Sequence, residues 1–240
     1  MNRKRLAIAG TQPDTRGLTP FDDPDCDIWV FNESGMATAE FYPGEPDKQW
    51  CKRWDAVIQI HSPEVYRSQT NWVNNRHWEW LQREHGPEQT IWLQEIDPDV
   101  PNARRYPLEE IIASVPGASL EWFSSSAAYA VALAIYLGYE EIGLYGLDMN
   151  SNTEYGYQLT NFVYWTGVCF GLGIKLFHLS NQRYFTSPLY GYEGELQLGQ
   201  AYFSDRASAA FAAWREKEKQ SNKLKSRLME AVQKCRYDKI

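Results

Sequence analysis

Asp148 closes the stretch Ile142-Gly143-Leu144-Tyr145-Gly146-Leu147-Asp148, where a short apolar run gives way to a turn. A carboxylate so placed can bind a sugar hydroxyl, hold a metal or carry a proton; its plainer role is a turn residue or helix cap. Just downstream, Glu154, Tyr155 and Tyr157 fall in a polar aromatic stretch, 150–158, that reads as a loop. Tyrosine rings there can close over a sugar or a base and donate hydrogen bonds, although a simple surface loop has the same composition. His61 follows another apolar run, 56–60, and suits an acid, a base or a phosphate ligand as well as a structural histidine. Ser124-Ser125-Ser126 precedes an apolar helical stretch. One of the three would cap that helix, a role worth about 1 kcal/mol. Together they make a donor-rich pocket at the positive end of a helix, suited to a phosphate or carboxylate. Gly10-Thr11-Gln12-Pro13 ends the first apolar run, and a glycine there lets the backbone approach a phosphate or simply turn. Neither G-x-G-x-x-G nor G-x-x-x-x-G-K-[ST] occurs, which disfavours dinucleotide and P-loop sites.

The remaining titratable residues point nowhere so definite. His77 and His85 lie eight apart on an expected helix, 75–85, and read as surface residues; His178 shares the ambiguity of His61. Cys26, Cys51, Cys169 and Cys235 form no C-x-x-C pair, so neither a zinc site nor a disulfide framework is indicated, and reduced thiols are the default. No metal ligand set is assigned. The net charge of −7 does not suit a protein that coats nucleic acid. Residues 215–240 nevertheless hold nine Lys or Arg against four Asp or Glu. This tail reads as a solvated helix face or a contact for phosphates or an acidic partner. Ten Trp exceed what a core of this size needs, so some should line a pocket or interface. The apolar run after Met1-Asn2-Arg3-Lys4-Arg5 is too short for a signal peptide, and the longest apolar segment, 127–137, is about half a membrane span. A cytoplasmic protein without a membrane partner is the expectation.

These residues must be positioned by something, and the apolar runs say what. Runs at 6–9, 28–31, 56–60, 91–93, 142–145 and 174–177 are continuous rather than alternating, as in strands covered on both faces. Helical stretches intervene at 75–85, 108–114, 126–137 and 159–172. The alternation predicts an α/β fold: a Rossmann-like, mostly parallel sheet with helices on both faces. Such sheets bind ligands outside the carboxyl ends of their strands. The expected organisation is a nucleotide(-sugar)-binding domain over 1–180, a loop or lid over 181–203, and a C-terminal helix over 204–240. Leu224, Leu228 and Val232 recur at i, i+4, i+8 in that helix, which should pack across the domain or against a second subunit as a homo-oligomer.

The block from Ser125-Ser126 through Leu137-Gly138-Tyr139-Glu140-Glu141-Ile142 to Gly146-Leu147-Asp148 resembles the bacterial CMP-sialic-acid sialyltransferases. Ile8-Ala9-Gly10 followed by Pro13 looks like their first-strand turn, and Val30-Phe31-Asn32-Glu33 like their second-strand end. The resemblance implies a Rossmann-like glycosyltransferase with a nucleotide-sugar donor at Gly10, Asn32 and Ser125–Ser126. Three departures stand out. Thr11 replaces the family's Asn after the first glycine, and Glu33 its Gln. Where the family carries a catalytic His, this chain has Glu154-Tyr155-Gly156-Tyr157. The Gly-x-Asp ending also resembles the archaeal 6-hydroxymethylpterin diphosphokinase-like proteins, which use magnesium. The Tyr-rich segments 154–158 and 189–193 are similar to uncharacterised bacteriophage proteins of this fold, which would place the chain in a host cytoplasm.

The leading expectation is therefore transfer of a sugar from a nucleotide-sugar to a glycan, protein or modified nucleobase. Gly10, Thr11, Ser125 and Ser126 would hold the phosphates, Asn32 and Glu33 the nucleotide or sugar, with His61 a further ligand. Asp148 or Glu154 would be the base, and Tyr155 and Tyr157 would steady the departing phosphate. A second reading is magnesium-dependent phosphoryl or pyrophosphoryl transfer through Asp148. A third is a non-catalytic binding or structural protein.

Overall fold

The computed structural model describes residues 4–68, 76–147, 154–178 and 200–237; of these, 154–157, 178, 200–203, 205–206 and 231–237 are described by backbone alone. The chain divides into two compact units, Met1–Thr186 and Ser187–Ile240.

The first unit is built on the strands β1 (Arg5–Ala9), β2 (Cys26–Phe31), β3 (Ala56–Ile58), β4 (Thr90–Leu93), β5 (Ala103–Arg105), β6 (Glu141–Tyr145) and β7 (Lys175–His178). They form one sheet in the order β5-β4-β3-β2-β1-β6-β7, and every pairing is parallel. The sequence expectation of a mostly parallel Rossmann-like sheet is met. Its short helices are α1 (Pro13–Arg16), α2 (Pro63–Tyr66), α3 (His77–Leu81) and α4 (Leu108–Ser114); its long ones are α5 (Ser126–Tyr136) and α6 (Glu154–Gly171).

Alternate residues of the strands feed two apolar layers, one on each face. Leu6, Ile8, Trp29, Phe31, Ile142 and Leu144 pack with α5 and α6. Ala7, Ala9, Ile28, Val30 and Val57 pack with Met36, Trp54, Trp80 and Leu81 on the other side. The small side chains of α5, among them Ala127, Ala128, Ala130 and Ala134, are wholly or almost wholly buried, which lets its backbone lie close to the sheet. The Leu-Gly-Tyr sequence ends this helix. Gly138 takes φ +75 and donates to Ile135, while Tyr139 N donates to Ala134 O. The paired bonds satisfy two carbonyls of the last turn.

Arg53 fastens the long β1–β2 connection. Its guanidinium donates to Phe21 O, Asp23 O, Cys26 O and the Asp55 carboxylate, and that carboxylate also accepts from Ile28 N. One side chain thereby ties together the entry to β2, the loop before it and the approach to β3.

Several sequence expectations are corrected. The helix expected over 75–85 is only His77–Leu81, with Gln82 as its C-cap. His85 therefore lies beyond it. Neither histidine is a surface residue: His77 is 8% exposed, and His85 is half-buried between the rings of Trp54 and Trp80. Both rings join a tryptophan cluster, His77 through its i,i+3 neighbour Trp80 and His85 through Trp80 and the distant Trp54. The stretch 154–158, read as loop, is helical from Glu154, where an acidic residue favours the first turn. Strand β5 has no apolar signal because it is a short, partly exposed edge strand.

The second unit contains α7 (Gln200–Tyr237), a continuous helix of 38 residues. Phe211, Trp214, Leu224, Leu228 and Met229 are exposed on it. The segment expected to form a loop or lid over 181–203 lies outside the described residues up to 199. Among the described residues, no helix is long and apolar enough to cross a membrane.

Candidate functional site

The chain leaves β1 toward β2 and builds the sheet outward to β5, then returns to β6 on the other side of β1. Connections diverge there, and a crevice opens at the carboxyl ends of β1 and β6. Two glycines form its floor. Gly10 N donates to Tyr145 O at 2.8 Å, and Gln12 N donates to Gly146 O at 2.9 Å. Gly146 has φ +59, and its N–H is accepted by Thr15 Oγ1 at 2.8 Å. A β-carbon on Gly10 would lie 2.3 Å from Gly146 O. The two strand ends approach so closely that only glycine fits.

Above this floor lies a cleft of about 480 Å³. Gly10, Thr11, Asn32, Glu33, His61, Ser125 and Ser126 all line it, so seven residues singled out from the sequence are brought together. They arrive from the ends of β1, β2 and β3 and from the start of α5. Asp148 lies outside the described residues. Glu154, Tyr155 and Tyr157 begin α6, and their side chains lie outside the described set.

The serine run divides its labour. Ser125 is the N-cap of α5, its Oγ accepting from Ala128 N at 3.2 Å. Ser126 opens the first turn at the positive end of the helix dipole. Ser124 Oγ is buried and has no hydrogen-bond partner. Asn32 Oδ1 and Ser34 Oγ are in the same condition, and all three residues line the cleft. Asn32 is also the one non-glycine among the described residues with a positive φ, 48°. A buried polar atom left without a partner costs about 1–3 kcal/mol. Three such groups gather at one cleft, where a polar ligand could pair with them.

Sequence reasoning missed Ser34, Gln94, Tyr129 and Gln158, which also line the cleft. Ser34 and Gln94 carried a usable signal, since each closely follows the carboxyl end of a strand. Among the described residues, no Lys or Arg lines the cleft. An anion would be met by backbone amides and hydroxyls. A smaller hollow of about 240 Å³ shares Thr11, Glu33 and Ser34 with the cleft and adds Arg16, Tyr42 and Trp50. The Arg16 guanidinium donates to Thr11 O and Asp47 O and lies over the Trp50 ring. Among the described residues no group of three His, Cys, Asp or Glu is placed to hold a metal ion.

Behind the wall that carries His61, burial first, and the nearby His61 second, push the His77 imidazole down to about 4. Its folded value lies below its ordinary 6.5, so the unfolded chain binds the extra proton between those limits. The stability tied to a neutral His77 is complete above pH 6.5 and lost as pH falls toward 4. The urea midpoint should decline across that window. A midpoint that stays flat there would show that His77 is not held neutral.

No protein-family model and no curated protein matches the chain. Solved structures do. The sialyltransferase CstII from Campylobacter jejuni with the substrate analogue CMP-3FNeuAc is 19% identical, with 75% of this chain and 83% of that chain covered and a TM-score of 0.43. The same enzyme with cytidine-5'-monophosphate gives 21%, 75%, 82% and 0.43. An alpha-2,3-sialyltransferase from Campylobacter jejuni in apo form gives 18%, 75%, 76% and 0.41. At these values the function has to be read from the cleft itself.

Proposed function

We propose that the protein is a glycosyltransferase that moves a sugar from a nucleotide-sugar to a hydroxyl-bearing acceptor. The observation that carries the nucleotide half is the trio of unpartnered buried groups, Asn32 Oδ1, Ser34 Oγ and Ser124 Oγ, around one cleft at the switch point of a parallel sheet. Small side-chain rotations would turn these groups toward ribose, base or sugar polar atoms, which would pair with them. Phosphates would lie over Gly10 and Thr11 and against Ser125 and Ser126, where close backbone approach and the start of α5 favour negative charge. Asn32 and Glu33 would take the nucleotide or sugar. The sugar-transfer half is supported by the resemblance of the Ser125–Asp148 block to the CMP-sialic-acid enzymes. The side hollow at Trp50 and Tyr42, continuous with the cleft through Glu33 and Ser34, is a suitable entry for the acceptor.

The test is a thermal-shift panel of nucleotides and nucleotide-sugars, each with magnesium and with EDTA, followed by donor turnover. A CMP-sugar at a hundredfold over its Kd should stabilise the fold by about 2.7 kcal/mol. The effect should be equal in EDTA, and release of the nucleotide should follow when an acceptor is added. Absence of both stabilisation and turnover across the panel would sink the reading. Binding that appears only with magnesium would replace it with phosphoryl transfer.

A further inference from the structure

The peptide unit joining Ile60 to His61 is held on both edges. Its N–H donates to Gln59 Oε1 at 3.3 Å, and its carbonyl accepts from Gln94 Nε2 at 2.6 Å. Gln59 is 1% exposed, an unusual place for an amide side chain, and its Nε2 lies 2.7 Å from His77 Nε2. A backbone N–H can only donate, so it fixes Gln59 Oε1 toward His61 and Gln59 Nε2 toward His77. An amide Nε2 also only donates. His77 Nε2 must therefore accept, and the ring proton sits on Nδ1, which is buried without a partner. His77 can serve in this way only as a neutral ring. Its stack on Trp80, with ring centroids 5.9 Å apart and planes 17° apart, keeps it dry.

This polar chain occupies core volume that apolar side chains would fill at lower cost. What it accomplishes is the orientation of one peptide, and that peptide presents the exposed His61 at the wall of the cleft. The other cleft carboxylate or imidazole among the described residues is Glu33, at the end of β2. Of the two chemistries, imidazole is the side chain most often used to take up a proton in general-base catalysis.

We propose that His61 is the proton acceptor of the transfer reaction, and that Gln59, His77 and Gln94 are its positioning residues. The proposal rests on the glycosyl-transfer reading. The acceptor hydroxyl oxygen bonds to the anomeric carbon as the bond from that carbon to the donor phosphate oxygen breaks. The electron pair of the broken bond leaves with the phosphate, and the hydroxyl proton passes to the free ring nitrogen of His61. The site of the base is thus moved from the segment after β6 to the end of β3.

The experiment compares the full chain with His61→Ala, His61→Gln and Gln94→Ala, reading CMP-sugar affinity and kcat separately. In His61→Ala, kcat should fall about 100- to 1,000-fold while donor affinity stays within about twofold. The acidic limb of the pH profile should vanish, and added imidazole should restore part of the rate. His61→Gln should keep donor affinity without regaining rate. Gln94→Ala, at an exposed position, should lower kcat about tenfold and leave KM for the donor unchanged. Retention of full kcat in His61→Ala overturns the proposal. So does a loss of affinity equal to the loss of rate with no response to imidazole, which would make His61 a donor ligand. A wild-type chain that binds no nucleotide-sugar removes the glycosyl-transfer reading itself, an outcome separable from both.

Discussion

Replacing Gly10 with alanine is expected to destabilise the fold by about 3 kcal/mol, the upper end for an overpacked site, and to abolish nucleotide binding. The added carbon would sit 2.3 Å from Gly146 O and 2.8 Å from Leu147 Cδ2. The first of these is a backbone atom and cannot swing away. Nor can the strand end retreat, because Gly10 N and Gln12 N are bonded to Tyr145 O and Gly146 O on the neighbouring strand end. The constraint is reciprocal. A β-carbon on Gly146 would lie 2.5 Å from Gly10 O, at a φ of +59. Urea denaturation reads the stability loss and a thermal-shift titration reads the binding. Normal nucleotide affinity in Gly10→Ala would show that the ligand does not approach the sheet at this pair of glycines.

Asn32→Gly should separate stability from binding, moving them in opposite directions. The substitution removes a side chain held at φ 48 and eliminates an unpartnered buried Oδ1. Relief of the left-handed backbone and of the stranded acceptor outweighs the entropy that glycine brings to the unfolded chain, for a net gain of about 1 kcal/mol. Affinity for the nucleotide should fall by about 2 kcal/mol, roughly thirtyfold in Kd, because the proposed Asn32 contact to the nucleotide is removed. Urea midpoints and calorimetric titration measure the two sides. A variant that is both less stable and unimpaired in binding would show that Asn32 serves the fold alone.

The sheet and the cleft were legible for one physical reason. Strands buried on both faces must be continuously apolar, and parallel order places the residues just beyond each run on a common edge. Gly10, Asn32, His61 and Ser125 each stand just after an apolar run or just before an apolar helix, and they meet. What escaped was mostly set by packing between distant segments. His85 is flanked by Glu84 and Gly86, and only the approach of the distant Trp54 completes its apolar surroundings, whereas His77, beside Trp78 and three residues before Trp80, carried an aromatic signal that the surface reading passed over. Strand β5, Ala103-Arg104-Arg105, forms by pairing with β4 and has no pattern of its own. The helical start of α6 was hidden because Glu154-Tyr155-Gly156-Tyr157 has a weak local preference that the rest of the helix overrides. The Gln59–His77 link was equally invisible, since nothing about residues 18 apart in sequence announces a shared hydrogen bond.

The buried thiols offer a use of another kind. Cys26 and Cys51 lie in the apolar layer on one face of the sheet, and Cys169 in the layer on the other. Burial pushes their titration up to about 11, about 12 and about 12, so each is protonated, enclosed and slow to alkylate while the fold is closed. Each reacts when its own layer opens. A timed pulse of alkylating reagent, read by mass at the three peptides, therefore records the opening of the two faces as separate clocks, with no probe added to the chain. Run with and without nucleotide, the same clocks report which face the ligand holds shut.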